Sequence, residues 1–173
     1  MPMLKTNSLF FSFLVVALAI FSSAPANAQK INVTEEAQIA ASVCLDQILN
    51  GKDNFDTLLA RGFEIKMKRR SWDYNKRMRK GLIPGRGVTI TTPPYRGVKH
   101  CTIFMVGISS KNANAIYKGM QQKLYAAGFR RKTERRGLFF DQFYVKGSER
   151  IVLDGSNGSN LGQASASIRI YRK

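Results

Sequence analysis

Residues 34–49, TEEAQIAASVCLDQIL, open on acids and then place apolar side chains at helical spacing, and Asn50-Gly51 supplies a stop. That pattern predicts a helix. A short second helix is expected over 54–61, ended by Gly62, with a strand starting between Phe63 and Lys68. Further on, Ala113, Ile116, Tyr117, Met120, Leu124 and Ala127 form one apolar stripe along residues 111–127, the signature of a second long helix, and Gly128 closes it. Between these segments, Ser71 to Gly97 is broken by Pro84, Gly85, Gly87, Pro93, Pro94 and Gly97, so that only Val88 to Thr92 reads as a short strand. VKHCTIFMVGI, residues 98–108, is apolar on both faces and predicts a central strand covered on both sides.

Strands are expected at Phe129 to Arg135, Leu138 to Lys146 and Arg150 to Leu153, followed by a polar loop, DGSNGSNLG. The last strand, QASASIRIYR, alternates Ala164, Ala166, Ile168 and Ile170 with Ser165, Ser167, Arg169 and Tyr171, so one of its faces meets solvent. These elements predict an α+β fold in which two main helices pack on an antiparallel sheet of about five or six strands.

The chain also echoes itself. LLARGFEIKMKRR at 58–70 and LYAAGFRRKTERR at 124–136 lie 66 residues apart and share seven of thirteen positions, including Gly62 with Gly128, Phe63 with Phe129, and Arg69-Arg70 with Arg135-Arg136. In each copy a helix ends at a glycine, a Phe anchors the next strand and a basic segment follows. Two duplicated α+β halves explain this pattern; chance resemblance within a basic chain is the alternative.

The first 28 residues stand apart. Lys5 precedes an apolar run from Leu9 to Phe21, and Ala26-Asn27-Ala28 comes before Gln29, the three-part order of a cleaved export signal. The run is shorter than the roughly 20 residues a membrane-crossing helix needs. The expected organisation is a signal peptide at 1–28 and one α+β domain at 29–173, periplasmic or secreted. Export places Cys44 and Cys101, the only two cysteines, in an oxidising compartment, where they are expected to form a disulfide.

The chain carries 28 Lys and Arg against 11 Asp and Glu, a formal charge of +17. Removing residues 1–28 takes only Lys5, which leaves 27 against 11, or +16. Such an excess points to an anionic partner: a polymer, a membrane or envelope surface, or an acidic protein. It is densest in KMKRRSWDYNKRMRK, residues 66–80. The candidate binding residues are Lys68, Arg69, Arg70, Lys76, Arg77, Arg79 and Lys80, with Trp72 and Tyr74 as rings that stack on bases or sugars, and Arg135 and Arg136 from the echoed segment.

Chemistry beyond binding is thinly supported. His100 is the only histidine, so an imidazole pair is ruled out, and no local spacing supplies a metal-ligand set or a cofactor motif. The leading expectation is a non-enzymatic binding protein. One alternative is a small secreted hydrolase of ribonuclease type, with His100 as acid or base and a strand carboxylate such as Asp141, Glu149 or Asp154 opposite it. The other is a disulfide-stabilised interaction or inhibitor module.

Overall fold

A computed structural model describes residues 31–78, 85–93, 100–136, 139–160 and 162–173. The expected signal at 1–28 and the cations Arg79 and Lys80 lie outside these residues. In chain order the elements are α1 (Val33–Asn50), α2 (Asp56–Ala60), β1 (Glu64–Lys68), β2 (Ser71–Arg77), β3 (Gly87–Thr92), β4 (His100–Val106), α3 (Ser110–Ala126), β5 (Arg130–Arg136), β6 (Phe139–Lys146), β7 (Glu149–Asn160) and β8 (Gln163–Arg172). All eight strands described belong to one antiparallel sheet, ordered β1-β2-β3-β4-β8-β7-β6-β5. The fold is therefore α+β, and the expected five or six strands are corrected to eight.

Both long helices are capped as their sequences require. The Asn32 side chain accepts from the Glu35 backbone N–H at the start of α1, and Gly51 ends that helix at φ 66°. Ser109 plays the N-cap role for α3 by accepting from the Asn112 N–H. α1 and α3 touch each other and lie on the same side of the sheet, where α1 meets β3, β4 and β8 and α3 meets β7 and β8. The core between them holds Ala37, Cys44, Leu45 and Ile48 of α1, Ile116, Met120 and Leu124 of α3, and the strand residues Ile90, Ile103, Met105, Ile151 and Ile168. Cys44 and Cys101 stand at disulfide distance inside this core, with Cα atoms 5.7 Å apart.

Two local expectations change. Ser71–Arg77 is strand β2: Trp72, Tyr74 and Lys76 turn toward the helices while Asp73, Asn75 and Arg77 turn away, as their register partners on β3 require. A buried-side lysine hid that alternation. The segment expected as a loop after Leu153 instead continues β7 to Asn160, because β8 pairs with it residue by residue from Ile151 to Asn160. Partnering overrides the turn-forming character of Gly, Ser and Asn here. β4 is central, as expected, yet the helices cover only one of its faces. His100, Thr102 and Phe104 are half-buried on the other.

In chain order α1 and α2 precede four strands and α3 precedes four more, and the two four-strand sets meet where β4 pairs with β8. The sequence echo has the same geometry in both copies. Gly62 (φ 81°) and Gly128 (φ 89°) are both left-handed. The Phe63 N–H donates to the Leu58 carbonyl at 3.0 Å, and the Phe129 N–H to the Leu124 carbonyl at 3.0 Å. Both rings are buried, and each lies under a lysine ammonium: Lys76 at 5.8 Å from Phe63 and Lys146 at 5.9 Å from Phe129. Space for a methyl exists at both glycines, so Gly62→Ala and Gly128→Ala isolate the cost of the backbone conformation. Each is expected to lower unfolding free energy by about 1 kcal/mol, measured by urea titration. Unchanged midpoints would show that neither turn depends on its glycine.

Candidate surface for an anionic partner

The sheet face turned away from the helices is built row by row from the strand registers. Lys66 of β1 is opposite Asp73 of β2, which is opposite Thr91 of β3, then Thr102 of β4, Arg169 of β8 and Asp154 of β7. The neighbouring row runs Glu64, Asn75, Thr89, Phe104, Ser167 and Ser156 through the same pairings. No helix among the described residues covers either row. At the far side of the sheet, alternation puts Arg130, Lys132 and Glu134 of β5 on this same face, and Arg150 joins them through its register with Val145.

Hydroxyls and amides along these rows bond to one another. Thr91 donates to Asp73 at 2.9 Å and Thr89 to Asn75 at 2.9 Å, while Thr102 Oγ1 lies 3.1 Å from His100 Nε2. Some cations are already matched: Lys68 with Asp73, and Arg150 with Glu134 at 3.4 Å. Lys66, Arg130, Lys132 and Arg169 are exposed, and among the described residues they form no ion pair. The same holds for Arg69 and Arg70, the exposed hairpin turn between β1 and β2.

The candidates chosen from sequence separate into three groups. Tyr74 is 3 % exposed and stacks on Phe55 with centroids 4.7 Å apart, and Trp72 packs half-buried against the core. Lys76 points to the helix side, where Glu36 takes its ammonium at 2.7 Å. None of these three presents itself to a ligand. Arg77 does lie on the open face, with its guanidinium over Phe104 at 5.6 Å and its Nε buried without a partner. Burial holds its pKa below the ordinary arginine value, against an opposing pull from Asp73. Arg69 and Arg70 are the exposed members, with Lys68 beside them already ion-paired.

Arg135 and Arg136, opposite Phe140 and Phe139 on β6, occupy the end of β5. β1 and β5 are the two outer strands of the sheet. The basic turn at Arg69-Arg70 and its echo at Arg135-Arg136 therefore lie at opposite edges and opposite ends, seven strand spacings or roughly 34 Å apart. They do not form one patch. The choice from sequence omitted Lys66, Arg130, Lys132 and Arg169, although alternation in the last strand already put Arg169 on the solvent side.

His100, the candidate of the hydrolase alternative, begins β4 and is half-buried on the open face. Its Nε2 bonds Thr102, its ring meets Tyr171 edge-on at 6.1 Å, and burial, helped by the Arg169 charge, pushes its pKa down. Asp154 faces the same side but is separated from β4 by the whole of β8. Among the described residues no cluster of His, Cys, Asp and Glu is placed to hold a metal, and no helix is long and apolar enough to cross a membrane. Two small recesses are formed by described residues, about 220 Å³ beside Asn114, Tyr117 and Asn157, and about 270 Å³ beside Gln38, Asp46 and Asn54. Neither is lined by a cation. Comparison of the chain with protein-family models, with curated proteins and with solved structures produced no match.

Proposed function

We propose that this chain is an exported, non-enzymatic protein that binds an extended anionic polymer across its helix-free sheet face and the adjoining basic turn. The observation that carries this reading is the set of exposed cations with no acidic partner among the described residues, Lys66, Arg69, Arg70, Arg130, Lys132 and Arg169, spread over that face and its corner. Their spacing along a wide surface suits a polymer better than a small anion, which needs convergent donors in a recess. A formal charge of +17 adds long-range attraction.

The two halves are read as duplicated copies, supported by the shared Gly-Phe turn geometry and the recurrence of four strands after a helical segment. Duplication places exposed cations in both halves, Lys66, Arg69 and Arg70 in the first and Arg130 and Lys132 in the second. Chains long enough to reach both are held by effective concentration as well as by individual contacts.

Retention on immobilised heparin measures this directly. The native protein is expected to bind at low salt and to elute at a concentration set by counterion release. Replacing Arg69 and Arg70 by Ser, and Lys132 and Arg169 by Gln, is expected to remove most of that retention while leaving the circular dichroism spectrum unchanged, since these side chains are exposed. Anionic lipid vesicles serve as the competing probe. Absence of heparin binding, equal retention of the quadruple variant, or a preference for vesicles alone would each count against the reading.

A further inference from the structure

The echo allows one edge of the sheet to be compared with the other inside a single chain. Leu59, Ile65 and Met67 correspond, at the separation of 66, to Tyr125, Arg131 and Thr133. On the β5 side Arg131 bonds Gln142 of β6, Tyr125 packs on Tyr144 at 5.8 Å while staying nearly as exposed as Leu59, and the strand itself reads RRKTERR. Charge on an outer strand is the usual protection against pairing with other chains. On the β1 side Leu59, Ile65 and Met67 are 41 %, 46 % and 74 % exposed. Among the described residues β1 pairs with β2 alone and is an outer strand of the sheet. One face of this edge thus carries Ile65 and Met67 where its structural twin carries Arg131 and Thr133, while Glu64, Lys66 and Lys68 charge the other face, and exposed apolar groups with a polar rim mark interaction sites.

We propose that β1 accepts an extended acidic segment of another protein as an added antiparallel or parallel strand. Alternate apolar side chains of that segment would lie against Ile65, Met67 and Leu59, and its intervening acids would fall on the side of Lys66 and the Arg69-Arg70 turn. Main-chain pairing at a sheet edge supplies affinity in this mode, and the alternating side chains supply selectivity. Charge decides between occupants. A second copy would bring Lys66, Arg69 and Arg70 against their own counterparts on a chain already at +17, whereas an acidic strand neutralises them. This edge site shares Lys66, Arg69 and Arg70 with the polymer reading above and is distinguished from it by Ile65 and Met67, which contribute nothing to heparin retention.

The test uses the full processed protein and a capped peptide of alternating Val and Glu, about ten residues long, followed by fluorescence anisotropy. Saturable binding is expected. A shuffled peptide of the same composition, and one N-methylated at alternate amides to remove edge hydrogen bonds, are each expected to bind about tenfold more weakly or worse. Ile65→Arg with Met67→Thr, which writes the β5 residues into β1, is expected to cause a similar loss of peptide binding while heparin retention is no lower than the parent's, since the variant adds a cation. Lys66→Glu is expected to shift preference toward an alternating Val and Lys peptide. The proposal is overturned if the alternating peptide does not bind, or if the shuffled or N-methylated peptide binds equally. It is also overturned if the double variant binds as the parent does, or if sedimentation shows a parent dimer that the double variant dissolves.

Discussion

Replacing Cys44 and Cys101 together by Ala is expected to lower the unfolding free energy by about 4 kcal/mol, the chain-entropy value for a closed loop of this length. The two residues are separated by 57 positions, and neither exposes any surface. Their bond ties the middle of α1 to the strand at the centre of the sheet, across the core on which both halves rest. Loss of that size is expected to lower Tm by roughly 8–16 °C for a chain of this length. Burial also predicts a kinetic signature: dithiothreitol reduces the bond only as fast as the protein opens, so labelling of the thiols tracks unfolding. A double variant that melts with the oxidised parent would show that the pair contributes no crosslink.

Glu36→Ala is expected to cost about 2–3 kcal/mol, below the roughly 3–5 kcal/mol for breaking a fully buried ion pair, because one partner remains partly exposed. The Glu36 side chain is 6 % exposed and holds Arg61 at 3.1 Å and Lys76 at 2.7 Å. This carboxylate joins the first turn of α1 to the end of α2 and to β2. Burial alone would raise its pKa, yet hydrogen bonds from Arg61 and Lys76, with their charges, bring it below its ordinary value of 4.5. The folded pKa is thus lower than the unfolded one. Its contribution is present in full above about pH 4.5 and is lost as pH falls through the folded value. The stability difference between the parent and Glu36→Gln, followed by urea titration from neutral to acid pH, is expected to shrink below that point. An E36Q chain as stable as the parent at pH 7 would remove the triad from the account.

Much of the fold could be read locally. α1 and α3 announce themselves through caps and apolar stripes, and the Gly-Phe echo proved to be the same turn built twice, with matching φ angles and matching hydrogen bonds. β2 was obscured because Lys76 occupies an inward position, and an inward lysine breaks the alternation on which a strand is recognised. It is tolerated there because Glu36, forty residues earlier, meets it. The reach of β7 to Asn160 was obscured for a related reason: GSNGSN has no strand character of its own and becomes a strand only because β8 lies alongside.

The binding residues show the same division. KMKRRSWDYNKRMRK reads as one basic and aromatic cluster, yet the fold sends Tyr74, Lys76 and part of Trp72 into the helix side and leaves Lys66, Arg69 and Arg70 outside. By itself the sequence determined the helices and their ends, the repeated unit, the excess of positive charge and the two cysteines, all of which depend on residues near one another in the chain or on simple counts. Only the tertiary structure decided which cations are free, where Arg169 joins them, and that the two basic segments stand at opposite corners. Those facts depend on the order of strands and on acids supplied from distant segments, and no local pattern encodes either.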